Sequence, residues 1–341
     1  MSKFNKTTLI NAFSKLGEQL VHPNEGLLTI INDERQYNAW FTPESVLKAV
    51  TTAGAMLNPG DLSEWLGHYN PGTTVSPKRV GLILPGNIPM VGFHDVLCVL
   101  CSGNYALIKT SSQDARLIKY VLEMLAAIEP GFAGQYSFVE RLEKFDAVIA
   151  TGSTNTSRYF EYYFGKVPHI IRKNRNSAAV LTGQETAAQL LKLGHDIFDY
   201  YGLGCRNVSK LFIPRAYDFN FFFESIASYQ AIINHHKYNN NYDYNKSIYL
   251  VNGEKHFDNG FLLLKQDERL ASPLAVLYYE FYDDLASVQK LLAAESDKIQ
   301  CIVTAVPLQV KNQLVDFGKS QQPALWDYAD GVDTMAFLTG I

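Results

Sequence analysis

The chain has 341 residues, enough to bury the cores of two domains, and a formal net charge of −4 at pH 7. This weak negative charge excludes the broad basic surface that binding to nucleic acid or anionic lipid requires. No apolar run approaches the roughly 18 residues of a membrane span, and the N-terminus lacks a signal-peptide pattern. Four cysteines are too few for a disulfide framework, so we expect a cytoplasmic protein with free thiols.

The first half of the chain alternates between apolar runs and helical patterns. The first 75 residues are predicted to be helical, with polar breaks at HPNEG and LNPGD and a Pro/Gly/Ser-rich joint at NPGTTVSPK. Strands are then predicted at RVGLILP, NYALIKT, FDAVIATGS and HIIRKNRNSAAVL, and helices at IPMVGFHDVLCVLCSG, SSQDARLIKYVLEMLAAIE and TNTSRYFEYYFG. Gly103 suits the C-cap of the first of these helices, and the serines suit the start of the second. The alternation predicts β-α-β units with a parallel sheet, whose ligands lie at the carboxyl ends of the strands.

The second half is predicted to form another α/β domain. A helix, GQETAAQLLKLGHDIFDYYG, leads directly to Cys205, and a helical FFFESIASYQAIINHHKYNNN is followed by a surface loop, YNNNYDYNK. Further strands are predicted at SIYLVNG, GFLLLK, LAVLYYEFY and KIQCIVTAV. We therefore expect N-terminal helices and a nucleotide-binding domain in residues 1–180, a cysteine-containing domain in 181–325 and a C-terminal tail in 326–341.

Three polar motifs follow predicted strands. In ATGSTNTS, Gly152, Ser153 and Thr154 lie where a helix begins, which suits either a phosphate or simple N-capping by Ser153 or Thr154. Asn87, in ILPGNIPM, suits either an oxyanion donor or an ordinary turn. Lys109 suits either a ribose or phosphate contact or a solvated surface. The G-x-G-x-x-G fingerprint of dinucleotide-binding folds is absent.

The cysteines differ in their sequence context. Cys98 and Cys101 lie on one face of an apolar helix without a second ligand pair, so we expect them in the core and no zinc site. Cys301 lies in an apolar strand and is also expected in the core. Cys205, in GLGCRN, is either a nucleophile on a loop or a small buried residue.

The order of the motifs is more specific than any one of them. PGNIP, a helix ending in SGN, YALIKTSS, a strand ending in TGST and a lone cysteine after GLG resemble the aldehyde dehydrogenase superfamily over residues 78–215. Within that superfamily, GLGCRNVSKLFIP and the short chain look most like acyl-CoA reductases of the bacterial luminescence fatty-acid-reductase type. The resemblance implies an aldehyde-dehydrogenase-like fold of two α/β domains with a Rossmann-like parallel sheet.

The resemblance also implies roles for individual residues. Cys205 is the expected nucleophile, and Asn87 with the Cys205 backbone N–H is the expected oxyanion hole. The nucleotide is expected to contact the Lys109 element, with Ser111 and Ser112, and the phosphate turn of Gly152, Ser153 and Thr154. Ser112 stands where the family has a ribose-binding glutamate, which favours NADPH over NADH. Glu268 is the counterpart of the glutamate that holds the nicotinamide ribose, although it is one residue out of register.

One departure from the family pattern bears on the reaction. Alignment of the strands places Ile171 where oxidising members have the glutamate that activates water, so an acyl-enzyme is expected to resist hydrolysis. This favours an NAD(P)H-dependent acyl-CoA reductase, with Arg206 either favouring the thiolate, binding CoA phosphates or facing solvent. The chain is shorter than a typical member, so the oligomerisation arm is expected to be reduced or missing. The resemblance leaves room for a homodimer and for a partner enzyme that supplies acyl groups.

Three alternatives remain open from the sequence. An acyl-phosphate reductase of the glutamyl-phosphate type needs a cationic site, for which Arg172, Lys173 and Arg175 are candidates. An aldehyde dehydrogenase is disfavoured by Ile171. A noncatalytic binding protein that keeps the fold is disfavoured by the presence of Cys205, Asn87 and Ser153.

Overall fold

The computed structural model describes residues 4–69 and 76–341. The chain divides into two compact units, which we call unit 1 (Met1–Asn174 with Ala324–Ile341) and unit 2 (Arg175–Pro323). Most of the predicted joint NPGTTVSPK lies outside the described residues. The segment expected to be a C-terminal tail belongs to unit 1, and the expected boundary after residue 180 falls inside unit 2.

The helices follow polar breaks and capping residues in the sequence. Asn5, Asn24, Thr42 and Asn58 each accept a backbone N–H at the start of one of the first four α-helices. The α-helices are α1 (Lys6–Val21), α2 (Glu25–Asp33), α3 (Pro43–Met56), α4 (Pro59–Gly67), α5 (Phe93–Ser102), α6 (Arg116–Ile128), α7 (Thr154–Phe164), α8 (Ala187–Phe198), α9 (Phe219–Ser225), α10 (His236–Val251), α11 (Leu285–Ala294) and α12 (Thr334–Thr339). Short 3₁₀ helices lie at Glu34–Gln36, Pro130–Gly134, Asp199–Gly202, Ala227–Asn234, Ser296–Lys298 and Ala329–Gly331.

The strands form one sheet in each unit. They are β1 (Arg79–Ile83), β2 (Tyr105–Lys109), β3 (Tyr136–Phe138), β4 (Ala147–Thr151), β5 (His169–Arg172), β6 (Asn176–Val180), β7 (Val208–Pro214), β8 (Phe257–Asp258), β9 (Leu263–Gln266), β10 (Val276–Tyr282), β11 (Ile299–Val303) and β12 (Gln313–Val315). Among the described residues, the sheet of unit 1 has the order β3-β2-β1-β4-β5 and is parallel. The sheet of unit 2 has the order β12-β11-β6-β7-β10-β9-β8, in which β8 runs antiparallel. The predicted α/β fold with parallel sheets is confirmed.

The core of unit 1 packs the N-terminal helices around apolar side chains that recur at helical spacing. Leu9, Phe13, Leu16 and Leu20 of α1 are buried, each no more than 1% exposed. Gly17 lets α1 approach α3 closely, because a Cβ atom there would lie 2.8 Å from the carbonyl oxygen of Gly54. In residues 4–69 and 76–341, no helix is both long and apolar enough to cross a membrane.

Four local predictions are corrected. The predicted strand HIIRKNRNSAAVL is two strands, β5 and β6, which belong to different sheets because the polar residues 173–175 separate them. Helix α6 begins at Arg116 with Ala115 as its N-cap residue, so the serines do not open it; Ser111 instead accepts the Gln113 N–H within its own turn. The predicted loop YNNNYDYNK and the predicted strand SIYLVNG are helical and lie largely within α10. The short strands β3, β8 and β12 were not predicted.

Candidate active site

The predicted nucleotide residues other than Glu268 lie along the carboxyl edge of the sheet of unit 1. Ile83 at the end of β1 pairs with both Lys109 of β2 and Ala150 of β4. Lys109 and the start of the 151–154 turn are therefore level with each other, two strand spacings or about 10 Å apart. Lys109 and Ser111 are partly exposed, and Ser112 and Ser153 are exposed. Polar side chains from two turns therefore lie at the same edge of the sheet.

Ser153 is the N-cap residue of α7. Its Oγ accepts the Thr156 N–H at 3.2 Å, as N-capping alone requires. Gly152 packs closely against this first turn, since a Cβ there would lie 2.9 Å from the Phe160 ring and 3.1 Å from the Thr156 side chain. Thr154 is the first residue of the helix. The capping alternative is therefore observed, and a phosphate contact at the same turn remains a prediction.

The loop that carries Asn87, residues 84–92, is held at two points. Asn38 donates from Nδ2 to the Gly86 carbonyl at 3.1 Å. Asp114 accepts the Met90 N–H through Oδ2 at 3.1 Å, and Met90 has a left-handed backbone with φ of 62°. A left-handed non-glycine residue is costly unless its surroundings impose it. Asn87 lies exposed between the two points of attachment.

Two buried carboxyl groups lie beneath this loop. Asp114 is 5% exposed and Glu34 is 1% exposed. Burial raises the pKa of Asp114 to about 7, although the hydrogen bond from Met90 lowers it. Burial also raises the pKa of Glu34, against the lowering effect of Arg116, whose Nη1 lies 3.9 Å from Glu34 Oε1. The support of the Asn87 loop therefore contains an acid that titrates near neutral pH.

The cationic residues considered for an acyl-phosphate site have structural partners. Arg172, at the end of β5, is 4% exposed and forms an ion pair with Asp95, and its Nη2 donates to Thr334 Oγ1 at 3.0 Å. Lys173 pairs with Glu161 at 2.9 Å on the surface. Arg175 donates to the Ile299 carbonyl at 3.2 Å. Each of the three cations thus has a structural partner of its own, and the acyl-phosphate site stays a prediction.

Cys205 lies in a turn of unit 2 just before β7. It is partly exposed, whereas Cys98, Cys101 and Cys301 are buried. Burial raises the pKa of the Cys301 thiol to about 11 and raises the pKa of Cys98 and Cys101 well above the usual range. The three buried thiols are therefore unsuited to nucleophilic attack, because the thiolate is the reactive form.

The backbone before Cys205 is unusual. Tyr200, Tyr201 and Gly202 are three consecutive left-handed residues, with φ of 54°, 60° and 78°. For each of the two tyrosines this conformation costs roughly 1–2 kcal/mol. Such conformations persist where the surrounding structure imposes them, and they cluster at functional sites.

Arg206 is buried, whereas Glu268 is exposed. Arg206 is 9% exposed and donates to Gln313 Oε1 at 3.0 Å and to the Ser320 carbonyl at 3.5 Å, so the solvent-facing alternative is wrong. Glu268 is exposed in the turn between β9 and β10, beside Asp267. Its expected contact with a nicotinamide ribose remains a prediction.

A narrow cleft adjoins the Cys205 turn within unit 2. It has about 430 Å³ of empty volume, part of it open to solvent, and its lining includes Tyr201, Gly204, Asn207, Tyr238 and Leu274. The lining is half polar, and Cys205 itself is not part of it. We therefore assign no acyl chain to this cleft.

The structure thus groups the predicted residues by unit. Asn87, Lys109, Ser111, Ser112, Gly152, Ser153 and Thr154 belong to unit 1, and Cys205 and Glu268 belong to unit 2. Sequence reasoning missed Asn38 and Asp114, which hold the Asn87 loop. It also missed Ser177, which donates to the Cys205 carbonyl, and Asn207, whose Oδ1 accepts the Gly204 N–H. Asn207 was detectable as a turn-forming asparagine two residues after the cysteine.

The similarity of this chain to known proteins is found in its structure and not in its sequence. No protein-family model matches the chain, and no curated protein matches it. Among solved structures, an oxidoreductase from Marinobacter aquaeolei is 11% identical with a TM-score of 0.68, covering 94% of this chain and 79% of its own. An NAD-dependent aldehyde dehydrogenase from Sinorhizobium meliloti is 10% identical with a TM-score of 0.66, covering 92% and 75%.

A third solved structure contains a bound nucleotide. A mutant of the AldA indole-3-acetaldehyde dehydrogenase from P. syringae, in complex with NAD+ and IAA, is 12% identical with a TM-score of 0.61, covering 91% of this chain and 73% of its own. At such low identity the likeness establishes the fold and leaves the activity to be tested. The chain has the aldehyde-dehydrogenase fold.

Proposed function

We propose that this chain is an NAD(P)H-dependent oxidoreductase that reduces an acyl-CoA thioester to an aldehyde through an S-acyl intermediate on Cys205. The observation that carries the proposal is the contrast among the cysteines on an aldehyde-dehydrogenase fold. Cys205 is partly exposed in a turn before β7, and the other three thiols are buried. A partly exposed thiol beside a strained backbone is the arrangement expected of a nucleophile.

The residue at the place of the water-activating glutamate supports reduction over oxidation. Ile171 lies in β5, paired with Ala150 of β4, and it has no group that can take a proton from water. An acyl group on Cys205 would then persist until another thiol or a hydride reaches it. The oxidation of aldehydes to acids, by contrast, needs hydrolysis of this thioester.

The carboxyl edge of unit 1 fits a nicotinamide dinucleotide. The Ser153 oxygen accepts the Thr156 N–H and lies 2.8 Å from Thr156 Oγ1. With Thr156 as the donor of the second contact, the Ser153 hydroxyl can donate to a phosphate, and Gly152 keeps the adjacent backbone free of a side chain. Lys109 would contact the adenosine ribose from the next turn of the same edge. Ser112 leaves room for a 2′-phosphate without carboxylate repulsion, which supports NADPH. Glu268 would serve the nicotinamide ribose.

The proposed reaction divides into two parts at Cys205. The thiolate attacks the acyl carbonyl carbon, the C–S bond to CoA breaks, and CoA leaves as a thiolate. The amide of Asn87 and the backbone N–H of Cys205 would donate to the oxyanion that forms during this attack. Because Asn87 belongs to unit 1 and Cys205 to unit 2, this pairing rests on the family resemblance. A bound nicotinamide nucleotide supplies the hydride, after which Cys205 is released as a thiolate and the aldehyde is free.

Intact mass spectrometry tests the first half of the reaction. The protein is incubated with acetyl-, octanoyl- and tetradecanoyl-CoA, and we expect an adduct of the mass of the acyl group. The adduct should be lost in Cys205→Ala and kept in the matched control Cys101→Ala, which removes a buried thiol. Absence of an adduct with every acyl-CoA, or an adduct that persists in Cys205→Ala, would overturn the proposal.

Spectrophotometry of NADPH and NADH tests the second half and separates the alternatives. We expect oxidation of NADPH in the presence of acyl-CoA, with formation of an aldehyde and faster turnover than with NADH. Turnover with an acyl phosphate alone would indicate an acyl-phosphate reductase. Reduction of NAD+ by an aldehyde would indicate an aldehyde dehydrogenase. If calorimetry detects no binding of any nicotinamide nucleotide, the chain is a binding protein that keeps the fold.

A further inference from the structure

The turn between α8 and β7 brings Cys205 to the surface of unit 2, and its conformation has to be imposed by neighbouring groups. The three left-handed residues at 200–202 reverse the chain direction just before the cysteine. The ring of Tyr201 packs against His235, with centroids 4.3 Å apart, and Tyr200 is 9% exposed. These contacts hold residues 200 and 201. Hydrogen bonds hold the part of the turn that contains Cys205.

Asn207 forms most of those hydrogen bonds. Its side chain is 3% exposed, and Oδ1 accepts the Gly204 N–H at 2.8 Å. The two hydrogens of its Nδ2 are shared among three carbonyl oxygens at and just after the end of α8, at 2.8 Å from Asp199, 3.2 Å from Asp196 and 3.3 Å from Ile197. The last carbonyls of a helix have no partner within the helix, so Asn207 both caps α8 and ties the turn to it.

The peptide groups on both sides of Cys205 are held. The backbone N–H of Asn207 donates to the Gly204 carbonyl at 3.1 Å, which fixes the Gly204–Cys205 peptide plane. Ser177 donates from Oγ to the Cys205 carbonyl at 3.0 Å, which fixes the plane that follows. The N–H of Cys205 lies in the first of these planes. The bond to the Gly204 carbonyl comes from the Asn207 backbone and persists in any substitution of Asn207 except proline. The Asn207 side chain acts on the direction of the Cys205 N–H by holding Gly204 on its other side, through the Gly204 N–H that Oδ1 accepts.

We infer that Asn207 is the positioning residue of the Cys205 turn, which orients the Cys205 thiol and its backbone N–H together for attack on a carbonyl carbon. This inference rests on the proposed role of Cys205 as the nucleophile. It does not depend on the identity of the acyl donor. Asn207 is neutral and its side-chain oxygen and nitrogen both have partners, so it holds the turn in the same way over a wide range of pH.

The test compares two reactions of the same thiol. Acylation by p-nitrophenyl acetate passes through an oxyanion and needs the Cys205 N–H in place, whereas alkylation by iodoacetamide occurs at a saturated carbon and develops no oxyanion. Peptide mass mapping assigns both modifications to Cys205. Alkylation is measured across pH, so that acylation rates are compared at equal thiolate fraction.

We expect Asn207→Ala to slow acylation by about 100-fold, the size of effect that misplacement of a reacting group produces, while alkylation is unchanged at equal thiolate fraction. Asn207→Ser, which is neutral, keeps a hydroxyl that can accept the Gly204 N–H and loses the amide donors to α8, should slow acylation less and serves if the alanine variant does not fold. Asn312→Ala is the matched control. It removes another amide of unit 2, which donates to the Ser296 and Ile299 carbonyls at 2.8 Å, and should change neither reaction.

The outcomes separate this inference from the proposed function. A parallel fall of acylation and alkylation would show that Asn207 only maintains the fold, and unchanged acylation would show that it does not position Cys205. Failure of p-nitrophenyl acetate to acylate the wild-type Cys205 would also overturn the inference. If p-nitrophenyl acetate behaves as expected while no acyl-CoA acylates Cys205, the inference holds and the proposed acyl donor is wrong.

Discussion

The loop that carries Asn87 and the turn that carries Cys205 are both held by buried polar side chains, but of different chemical types. Asp114 holds the Asn87 loop through the Met90 N–H, and burial raises the pKa of its carboxyl to about 7. Asn207 and Ser177, which hold the Cys205 turn, do not titrate. The backbones they support are both left-handed at one or more residues, so both need such support.

Unit 1 also contains a buried ion pair. Arg172, at the end of β5, pairs with Asp95 of α5. The two loops are held differently: an ionisable carboxyl and the neutral Asn38 amide hold the Asn87 loop, whereas the side chains that hold the Cys205 turn are neutral. A change of pH should therefore act on the Asn87 loop before it acts on the Cys205 turn. The three tryptophans, Trp40, Trp65 and Trp326, all belong to unit 1, so their fluorescence reports on this unit selectively.

The largest expected effect is on the ion pair of unit 1. Asp95→Ala leaves the Arg172 guanidinium buried without a carboxylate, and we expect the free energy of unfolding to fall by about 3–5 kcal/mol. Urea unfolding followed by tryptophan fluorescence measures this change. As a control, Arg215→Ala breaks an ion pair of unit 2 whose side chains are 70% and 69% exposed, and should leave the urea midpoint in far-UV circular dichroism unchanged. Equal effects of the two substitutions would remove the contrast.

The second prediction concerns pH. An unfolded Asp titrates near pH 3.9 and folded Asp114 near 7, so between these values the folded state binds more protons than the unfolded state. The contribution of Asp114 to the stability of unit 1 should therefore be largest at or below about pH 4, fall as pH rises towards 7 and level off above it. The contribution of Asp114 to this slope is at most about 1.4 kcal/mol per pH unit.

Asp114→Asn isolates this contribution, since the asparagine keeps an oxygen for the Met90 N–H. We expect the variant to lose much of the slope between pH 4 and 7 in tryptophan-detected urea unfolding. The pKa of Glu34, a neighbour of Asp114, is also raised by burial, although the charge of Arg116 lowers it. Glu34→Gln should therefore remove a further part of the fall in stability between pH 4 and 7. A slope in Asp114→Asn equal to that of the wild type would contradict the assignment.

The smallest effects come from glycines in the two regions. A Cβ at Gly86 would lie 2.7 Å from the Ser111 Cβ, so Gly86→Ala should overpack the Asn87 loop and cost about 1–3 kcal/mol. At Gly202 a Cβ would have its nearest neighbour at 3.6 Å, so Gly202→Ala should cost only the left-handed backbone, about 1 kcal/mol. Thermal unfolding of both variants measures the difference, and a larger loss for Gly202→Ala would contradict this order.

Much of unit 1 was predictable because its sequence signals are local. Apolar runs that end at Gly, Pro or polar residues predicted β1, β2 and β4, and Gly103 was correctly identified as the left-handed C-cap of α5. The candidate site residues of this edge follow directly from those strand ends. The groups beneath the edge did not, because nothing local marks Asp114 or Asn38 as buried.

The prediction of unit 2 was weaker where local signals were ambiguous. The four apolar or aromatic residues of SIYLV are consistent with either a strand or part of a helix. The structure places them in α10, where the buried Tyr238, Tyr242, Asn245 and Tyr249 recur at spacings of three and four residues. This periodicity was present in the sequence and was obscured by the asparagines that surround it.

The sequence by itself determined the alternation of helices and strands, the aldehyde-dehydrogenase-like order of motifs, and Cys205 as the candidate nucleophile. These features depend on residues near one another in the chain. Tertiary structure decided that β5 and β6 belong to different sheets, that Arg172 pairs with Asp95, and that Asn207 and Asp114 hold the two loops. Burial and hydrogen bonding between distant segments decide these features, and a single sequence records neither.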